Sequence, residues 1–407
     1  MDRETIKYVL AETLARPLPD VVPRALTLPV DSGKVIALVG IRRCGKTSLL
    51  YDTMRRLEAS GVDRRRMIYL NFEDDRLLPV ETSELDEVLR AHAELYPEVA
   101  EEPRYFFLDE VQNVPRCEAF VRRLVDTEDA RVFVTGSSSN LLVRDVATAL
   151  RGRSISYEVF PLSFPEFLAF RGIQYVPYSR VSEGRMAAAL DDYLETGGLP
   201  ELVLADEDLR PRILKEYVDL VFYKDLLDRY GVGNGPVMRQ LLKLCLSRPA
   251  TLFSAHKVYQ DLRSQGYQLS KDTVYQYMGY LEESYVVFTL PVAEQSIRKQ
   301  AVNPKKVHPV DWALGYPFIP ARRIDLGHRL ETAVFLHWRR QRQDLAYVTG
   351  AREVDLIVDP DHPGAAINVA YSVTDANTWA REMTSLESIE GSVPKARPDA
   401  PPSREAQ

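Results

Sequence analysis

The sequence contains few cysteines and no long hydrophobic run. Only three of its 407 residues are cysteine (Cys44, Cys117 and Cys245), and their odd number and wide spacing exclude a disulfide framework and a zinc site. The longest apolar stretch, residues 285–292, is far shorter than the roughly 20 residues that a membrane-spanning helix needs. The first 15 residues lack an apolar core and predict no secretory signal. We therefore expect a cytoplasmic protein in a reducing compartment, with no membrane partner.

The chain also lacks an excess of positive charge. Its net charge of −7 argues against a protein that wraps nucleic acid along its whole surface, although it leaves room for a local basic face. The 45% hydrophobic and 27% charged residues are typical of a globular protein, and the length corresponds to two or three domains. The last 16 residues hold four prolines and few large apolar side chains, so they predict a disordered tail.

A layered α/β fold is predicted for residues 34–161, where short apolar runs alternate with segments of helical period. Continuous runs of β-branched and aromatic residues indicate strands buried on both faces, as in a parallel sheet. The intervening helices supply the crossovers that parallel strands require. The predicted strands are KVIALVG (34–40), MIYLNF (67–72), YFFLDE (105–110), VFVTGS (132–137) and ISYEVF (155–160).

The remaining chain is helical up to about residue 283 and mixed beyond it. Residues 163–230 have helical period, and the three glycines of GVGNG (231–235) indicate a linker. Further helices are predicted near 236–247, 254–265 and 271–283, the last with Ser270 as its N-cap. The strands YVVFTLPV, KVHPV, LAYVT, EVDLIV and AINVAYS and two helices near 328–341 and 377–389 complete the prediction.

The strongest motif is GIRRCGKT (40–47), which satisfies G-x-x-x-x-G-K-[ST] between a predicted strand and a predicted helix. Backbone N–H groups of such a loop surround an anion, and the following helix points its positive end at the phosphates. Lys46 is expected to bridge the β- and γ-phosphates of ATP, and Thr47 is expected to hold Mg²⁺. The predicted nucleotide-binding residues are Gly40, Ile41, Arg42, Arg43, Cys44, Gly45, Lys46, Thr47 and Ser48.

Three side chains inside this loop have less specific expectations. Arg42 and Arg43 occupy variable positions of the motif and are expected to be solvated. Cys44 is expected to pack against its neighbours, although a thiol at this place could instead be sensitive to oxidation.

Two acidic residues follow the apolar run YFFL. Asp109 and Glu110 would lie at the carboxyl edge of the sheet, where open α/β sheets bind ligands. Asp109 is expected to hold Mg²⁺, and Glu110 is expected to orient or deprotonate the attacking water. The alternative is an ordinary acidic pair at a strand end.

The next strand ends in TGSSSN, so Ser137 or Ser138 could reach the γ-phosphate, or could cap the following helix instead. Because MIYLNF lies between the loop and Asp109 in sequence, we expect an additional strand between their two strands. That order favours additional-strand ATPases over Ras-like GTPases, and no guanine-reading segment is visible.

A cluster of arginines follows in LRGR. Arg151 and Arg153, with Arg144 nearby, are candidates for stabilising the charge that develops on a transferred phosphate. The alternative is a solvated helix end, and the sequence does not say whether such an arginine acts within its own subunit or on a neighbour.

The ordered segments GIRRCGKTSLL, FLDEVQN, TGSSSNLL, LRGR, VFPLSFPEFL and YLETGGLPE resemble a prokaryotic AAA-type ATPase family with a C-terminal domain of unknown function 4143. The resemblance covers residues 25–388 and implies ATP binding, an ATPase core, a winged-helix segment and a nuclease-like fold. The domains expected from it are an AAA-type P-loop ATPase (1–165), a helical lid or linker (166–235), a winged helix (236–292), a degenerate PD-(D/E)xK-like α/β domain (293–391) and a tail (392–407).

The winged-helix prediction has residues of its own, because two helices joined by a short glycine-containing turn precede a strand. The candidates for contact with double-stranded DNA are Lys271, Tyr275 and Gln276 in the groove, Ser270 and Thr273 near phosphates, and the basic residues Arg298, Lys299, Lys305 and Lys306. A protein-binding or packing role is the alternative.

The C-terminal region has the order of a nuclease core, with Glu331 on its first helix and Asp355 on a strand. The positions that match the E-x-K of such enzymes are Asn368 and Ala370, which supply neither a metal ligand nor a base. We therefore expect no nuclease activity.

The sequence as a whole predicts a Mg²⁺-dependent ATPase whose nucleotide state controls the C-terminal module, acting on DNA or on a protein partner, in a chain that can form homo-oligomers. The alternatives are a slow nucleotide-gated scaffold that acts by binding partners and an ATP-dependent nuclease.

Overall fold

The computed structural model describes residues 2–136, 150, 152–294, 296, 300, 303–320, 325–341, 344–349, 353–360, 364–372 and 376–387. The chain forms two compact units, Met1–Leu162 and Ser163–Gln407. In the described ranges, no helix is long and apolar enough to cross a membrane. Several predicted features lie outside the described residues: Ser137, Ser138, Arg144, Arg151, Arg298, Lys299 and the tail.

The first unit is built on a five-stranded parallel sheet with the strand order β2-β3-β4-β1-β5. Two of its three central strands, Val35–Val39 and Arg104–Asp109, are buried along their whole length, as their continuous apolar runs predict. The parallel α/β sheet of a P-loop NTPase is thereby confirmed. The strands are β1 Val35–Val39, β2 Met67–Asn71, β3 Arg104–Asp109, β4 Ala130–Gly136 and β5 Ser154–Glu158.

The additional strand between β1 and β3 is β4, which comes after β3 in the chain. The run MIYLNF forms β2, and in this sheet it pairs only with the far side of β3. The predicted separation of the two site-bearing strands is therefore confirmed, but the interpretation that MIYLNF indicates the separating strand is wrong. Parallel strands can pair in any order that their crossovers allow, so position along the chain did not determine the neighbour.

Helices of the first unit are α1 Arg3–Ala15, α2 Lys46–Ala59, α3 Asp86–Leu95 and α4 Cys117–Thr127. Asp2 caps α1 by accepting a hydrogen bond from the Thr5 backbone N–H, and the helix buries Ile6, Val9 and Leu10. Helix α2 begins directly at the glycine-rich loop, which places its positive end at that loop.

The second unit begins with helices, as predicted. A capping box between Ser163 and Glu166 starts the first of them. Asn234 of the predicted linker caps a helix that begins at the next residue, and the second unit continues across this point. The helices are α5 Phe164–Phe170, α6 Arg180–Thr196, α7 Pro200–Leu204, α8 Arg210–Leu220 and α9 Gly235–Ser247, with a π-helical segment at Val221–Asp228.

A three-stranded antiparallel sheet follows, in the order β6-β8-β7. Its strands are β6 Thr251–Phe253, β7 Val287–Leu290 and β8 Lys305–Pro309, and helices α10 Ala255–Ser264 and α11 Lys271–Glu283 lie between β6 and β7 in the chain. The three predicted helices and the Ser270 cap are confirmed. The predicted boundary between residues 292 and 293 divides this sheet, because β8 pairs with both other strands.

The last elements are a 3-10 helix at Trp312–Phe318, α12 Leu326–Arg340, β9 Leu345–Val348, β10 Val354–Val358, β11 Ala365–Ile367 and α13 Ala376–Glu387. The strands form an antiparallel sheet in the order β11-β10-β9. Strand β11 ends at Ile367, so Asn368 and Ala370 lie beyond it, whereas AINVAYS predicted a strand through both.

The GG pair of ETGGLPE closes against a buried carboxylate. Gly198 and Ala313 donate backbone hydrogen bonds to Asp311, at 2.7 Å and 2.8 Å. Gly197 has φ +84°, and a Cβ there would lie 2.3 Å from Asp311 Oδ1. Burial raises the pKa of Asp311 to about 6, although the backbone hydrogen bonds oppose the shift. The glycine pair of YLETGGLPE, one of the segments that carry the family resemblance, is thus explained by its packing against Asp311.

Candidate nucleotide site

The loop between β1 and α2 has a backbone that only particular residues tolerate. Gly40 has φ +152°, and a Cβ there would lie 2.3 Å from the carbonyl oxygen of Val159. Gly45 has φ +100° and precedes the first residue of α2. The two glycines of the motif are therefore required by close approach and by backbone conformation.

Lys46 lies inside this loop with 4% of its surface exposed. Its ammonium group donates to the carbonyl oxygens of Gly40 (3.0 Å) and Ile41 (3.1 Å). The charge is therefore held over the loop at the N-terminus of α2, where an anion would be stabilised.

Arg24 supports the loop from outside the motif. Its guanidinium donates to the carbonyl oxygens of Cys44 and Phe160, both at 2.9 Å. Fixing the Cys44 carbonyl also fixes the peptide plane that precedes Gly45. Sequence reasoning missed this residue, because a single arginine upstream of the motif carries no pattern.

Asp109 is 1% exposed at the end of β3 and is contacted by three hydroxyl groups. Thr47 Oγ1 donates to Oδ2 at 2.7 Å, Tyr69 Oη donates to Oδ2 at 3.0 Å, and Thr135 Oγ1 donates to Oδ1. Burial raises the pKa of Asp109, while the hydrogen bonds from Thr135 and Thr47 oppose the shift. The structure thus brings together Thr47 and Asp109, the two predicted metal ligands.

Glu110 follows Asp109 in a left-handed conformation, with φ +55°. Its backbone N–H donates to Thr135 Oγ1 at 2.9 Å, and the side-chain amide of Gln112 donates to its carboxylate. Sequence reasoning missed Tyr69, Gln112 and Thr135. For Thr135 a signal existed, since it lies in the same TGSSSN run from which Ser137 was selected.

The expectations for the loop side chains are partly corrected. Arg42 is not solvated: its side chain is 19% exposed and forms an ion pair with Glu73 at 2.9 Å. Arg43 is exposed, with φ +58°, and Ser48 is exposed as well. Cys44 is buried, and burial raises the pKa of its thiol, so the neutral form predominates and the packing role is favoured.

Arg153 lies at the opposite edge of the sheet. Its carbonyl accepts from Val35 at the beginning of β1, whereas the loop follows the end of β1. Its guanidinium forms an ion pair with Asp126 at 2.6 Å. This position favours a role of Arg153 on a neighbouring subunit, or the solvated alternative, over contact with a phosphate in the same chain, and the roles of Arg153 and Arg151 stay predictions.

A second charged cluster lies in the C-terminal unit. Lys306 Nζ lies 2.9 Å from Glu331 Oε1 and 2.8 Å from Asp355 Oδ1, and its side chain is 4% exposed. Burial disfavours its charge, but the two carboxylates outweigh that effect and raise the pKa of Lys306. Among the described residues, no group of three or more acids, histidines and cysteines could hold a metal ion. Sequence reasoning assigned Lys306 to DNA contact and missed its pairing with these carboxylates, because the lysine comes from β8 and not from an E-x-K motif.

The residues expected to contact DNA differ in exposure. Lys271 and Tyr275 are exposed on α11, and Gln276 donates to Tyr280 Oη at 2.6 Å. Ser270 accepts from the Thr273 backbone N–H as a helix cap. Lys306 is buried, and its ammonium is paired with Glu331 and Asp355, so the expectation that it contacts DNA is wrong.

Comparison with known proteins identifies a family model over the part of the chain that contains this site. A family model described as an AAA domain matches residues 32–168, which contain the loop, Asp109 and Glu110. A second model, domain of unknown function 8612, matches residues 187–322. The resemblance implied domain 4143 instead, and that part of it is wrong.

The similar curated proteins are uncharacterized. Protein MJ1544 of Methanocaldococcus jannaschii is 30% identical over 376 residues, covering 90% of this chain and 81% of the relative. A protein of Haemophilus influenzae is 26% identical, covering 85% and 84% of the two chains.

Among solved structures, the Walker-type ATPase PABY2304 of Pyrococcus abyssi is 16% identical with a TM-score of 0.46, covering 78% of this chain and 95% of that chain. The Aeropyrum pernix Orc1 protein, solved in complex with DNA, is 17% identical with a TM-score of 0.31, covering 78% and 91%. Both TM-scores lie below 0.5, so neither likeness defines the fold of the whole chain.

The strand order, the loop and the AAA-domain match define a protein with an AAA-type P-loop domain. The chain belongs to the family that includes MJ1544.

Proposed function

We propose that the chain binds ATP with Mg²⁺ and hydrolyses it to ADP and phosphate. The supporting observation is the 2.7 Å hydrogen bond from Thr47 Oγ1 to Asp109 Oδ2, which joins the end of the loop to the end of β3. Hydroxyl and carboxylate oxygens are the ligands that Mg²⁺ prefers, and the ammonium of Lys46 lies in the same loop. The residues present therefore fit a magnesium nucleotide.

Each side chain has a defined task in this proposal. Lys46 binds the β- and γ-phosphate oxygens, and Thr47 and Asp109 hold the metal. Bound there, Mg²⁺ supplies positive charge to the phosphate oxygens. Glu110 orients the attacking water and accepts its proton at the carboxylate. Thr135 fixes the Asp109 carboxylate and the Glu110 backbone relative to each other.

Two variants test the assignment. Lys46→Ala should abolish tight binding of ATP, whereas Glu110→Gln should bind ATP normally and lose turnover, because only water activation is changed. Arg55→Ala is the matched control, since Arg55 lies on the same helix and pairs with Asp20. Binding is measured by calorimetry and turnover by phosphate release. Equal ATP affinity in Lys46→Ala and wild type would overturn the proposal.

The nucleotide state is proposed to control what the C-terminal unit binds. Isolation of the Glu110→Gln protein from cells should retain an ATP-state complex with a protein or nucleic-acid partner. Fast hydrolysis that DNA stimulates would favour an ATPase motor or switch. Slow hydrolysis without DNA response, together with nucleotide-dependent capture of a partner, would favour the scaffold alternative.

We also propose that α9, α10, α11 and the sheet β6-β8-β7 form a winged helix that contacts double-stranded DNA. The element order helix, strand, helix, helix, strand, strand supports this, as does the exposure of Lys271 and Tyr275 on α11. If the contacts are to phosphates, affinity should fall steeply with salt. Gel-shift titrations at low salt that show no duplex complex would favour a protein-binding module.

A further inference from the structure

A cavity of about 300 Å³ lies in the second unit beside α11. One side of α11, the first turn of α10, Thr289 of β7 and the beginning of β8 line it. Ligand pockets commonly measure about 300–1,000 Å³, so this cavity suits a small planar group more than a large ligand.

Part of the cavity wall is aromatic and apolar. Tyr275 lies at the rim with 47% of its surface exposed, Met278 is buried one turn further along the same helix, and Phe253 ends β6. An exposed aromatic ring beside an apolar thioether offers a surface on which a second ring can stack.

The rim carries positive charge although the whole chain is acidic. Lys271 Nζ lies 5.6 Å from the centre of the Tyr275 ring, and Lys305 lines the same cavity. Within the described part of the chain, neither lysine has a carboxylate at ion-pair distance. The one acidic lining residue, Glu282, accepts a hydrogen bond from Thr289.

Lys305 and Lys306 are neighbours on β8, but their side chains lie in different environments. Successive side chains of a strand point to opposite faces. Lys306 faces Glu331 and Asp355 and is neutralised by them, whereas Lys305 lines the cavity and keeps its charge available. The basic pair in the sequence therefore supplies one structural cation and one available cation.

We infer that this cavity binds one unpaired nucleotide of a single-stranded nucleic acid. The base stacks on Tyr275 and contacts Met278, and the adjoining phosphate binds Lys271 and Lys305. Stacking on aromatic rings together with cations along the backbone is how single strands are held with little sequence preference. This goes beyond the proposed duplex contact and beyond the ATPase site, because a base paired inside a duplex cannot enter the cavity.

The test uses the full-length protein with the Lys46→Ala change, so that the P-loop does not capture nucleotides. A labelled oligothymidylate and a duplex of mixed sequence are titrated by fluorescence anisotropy at two salt concentrations. Tyr275→Ala should weaken single-strand binding by about five- to 150-fold, and Tyr275→Phe should restore it. Lys305→Glu should weaken binding and reduce the salt dependence by about one released counterion.

Two matched variants control for surface effects. Tyr178 is fully exposed, so Tyr178→Ala removes an aromatic ring outside the cavity. Lys257 is exposed on α10 and does not line the cavity, so Lys257→Glu makes the same charge change elsewhere. Both should bind the single strand like the parent, and circular dichroism should show every variant to be folded.

Several outcomes would overturn the inference. The first is the absence of single-strand binding, and the second is single-strand binding that Tyr275→Ala leaves unchanged. The third is thymidine monophosphate that binds as tightly as the oligonucleotide, because this would assign the cavity to a free nucleotide. Duplex binding that is insensitive to Tyr275→Ala, with no single-strand binding, would overturn the inference while leaving the duplex proposal intact. Single-strand binding that Tyr275→Ala weakens, without duplex binding, would support the inference and overturn the duplex proposal.

Discussion

The side-chain amide of Gln112 donates a hydrogen bond to the carboxylate of Glu110. The other end of that amide, Oε1, is buried and has no hydrogen-bond partner among the described residues, which is unfavourable for the carbonyl while the N–H holds Glu110. Glu110 itself is in a left-handed backbone conformation whose N–H is held by Thr135. Glu110, the residue proposed to activate water, is therefore fixed at its carboxylate by Gln112 and at its backbone N–H by Thr135.

Gln112→Leu should lower kcat of ATP hydrolysis by about tenfold and leave KM for ATP nearly unchanged, because it releases the carboxylate that orients water but not the groups that bind phosphate. Asn113→Leu, at an exposed neighbouring position, is the control. Steady-state kinetics measure both parameters. A parallel loss of kcat and ATP affinity would indicate a general disturbance of the loop instead.

Arg24→Lys should reduce ATP affinity by about tenfold. Lysine keeps the charge but cannot donate to the carbonyls of Cys44 and Phe160 together, and hydrogen bonds from charged groups contribute about 1.5–3 kcal/mol. Calorimetric titration with ATP measures the change, and Arg55→Lys serves as the control. Unchanged ATP affinity in Arg24→Lys would show that the two hydrogen bonds of Arg24 do not support the loop.

Asp311 should make stability depend on pH. Its pKa is about 6 in the folded state against an ordinary value of 3.8, so folding favours the protonated carboxyl. This stabilisation is fully present below about pH 4 and is lost as the pH rises through about 6, by roughly 3 kcal/mol. Urea unfolding of wild type and Asp311→Asn from pH 4 to 7 should show the difference between them changing by that amount. A difference that stays constant across this range would contradict the assignment.

Lys306→Met should lower the free energy of unfolding by about 3–5 kcal/mol, because it leaves Glu331 and Asp355 buried together without their cation. Lys305→Met changes the neighbouring, half-buried lysine and should alter stability by less than about 0.5 kcal/mol. Denaturant titration compares the two. Equal stability of both variants would show that the buried ion pairs contribute little.

The C-terminal domain should not cleave nucleic acid. The Lys306 ammonium already binds both Glu331 and Asp355, and the Val369 backbone N–H donates to Asp355 Oδ2 at 2.9 Å, so the carboxylates are occupied by internal partners. Incubation of single- and double-stranded DNA with Mg²⁺ or Mn²⁺, with and without ATP, should leave both intact. Cleavage that Asp355→Ala abolishes while ATP turnover survives would establish the ATP-dependent nuclease instead.

Local patterns predicted the parts of the fold whose causes are local. The apolar runs located the strands of the first sheet, and GIRRCGKT identified the loop, because the spacing of glycines, lysine and threonine is itself the requirement for holding phosphate. Ser270 was recognised as a helix cap for the same reason, since capping involves only residues three positions apart.

Tertiary structure alone decided the relationships that span long stretches of chain. It placed β4 between β1 and β3, moved Arg153 to the edge away from the loop, and selected Thr135 and Tyr69 as partners of Asp109. Lys306 illustrates the reason. Its carboxylate partners are 25 and 49 residues away in the chain, so no local pattern could pair them with it. In the sequence, Lys305 and Lys306 look like one basic surface pair. In the folded sheet, Lys306 forms buried ion pairs and Lys305 lines the cavity.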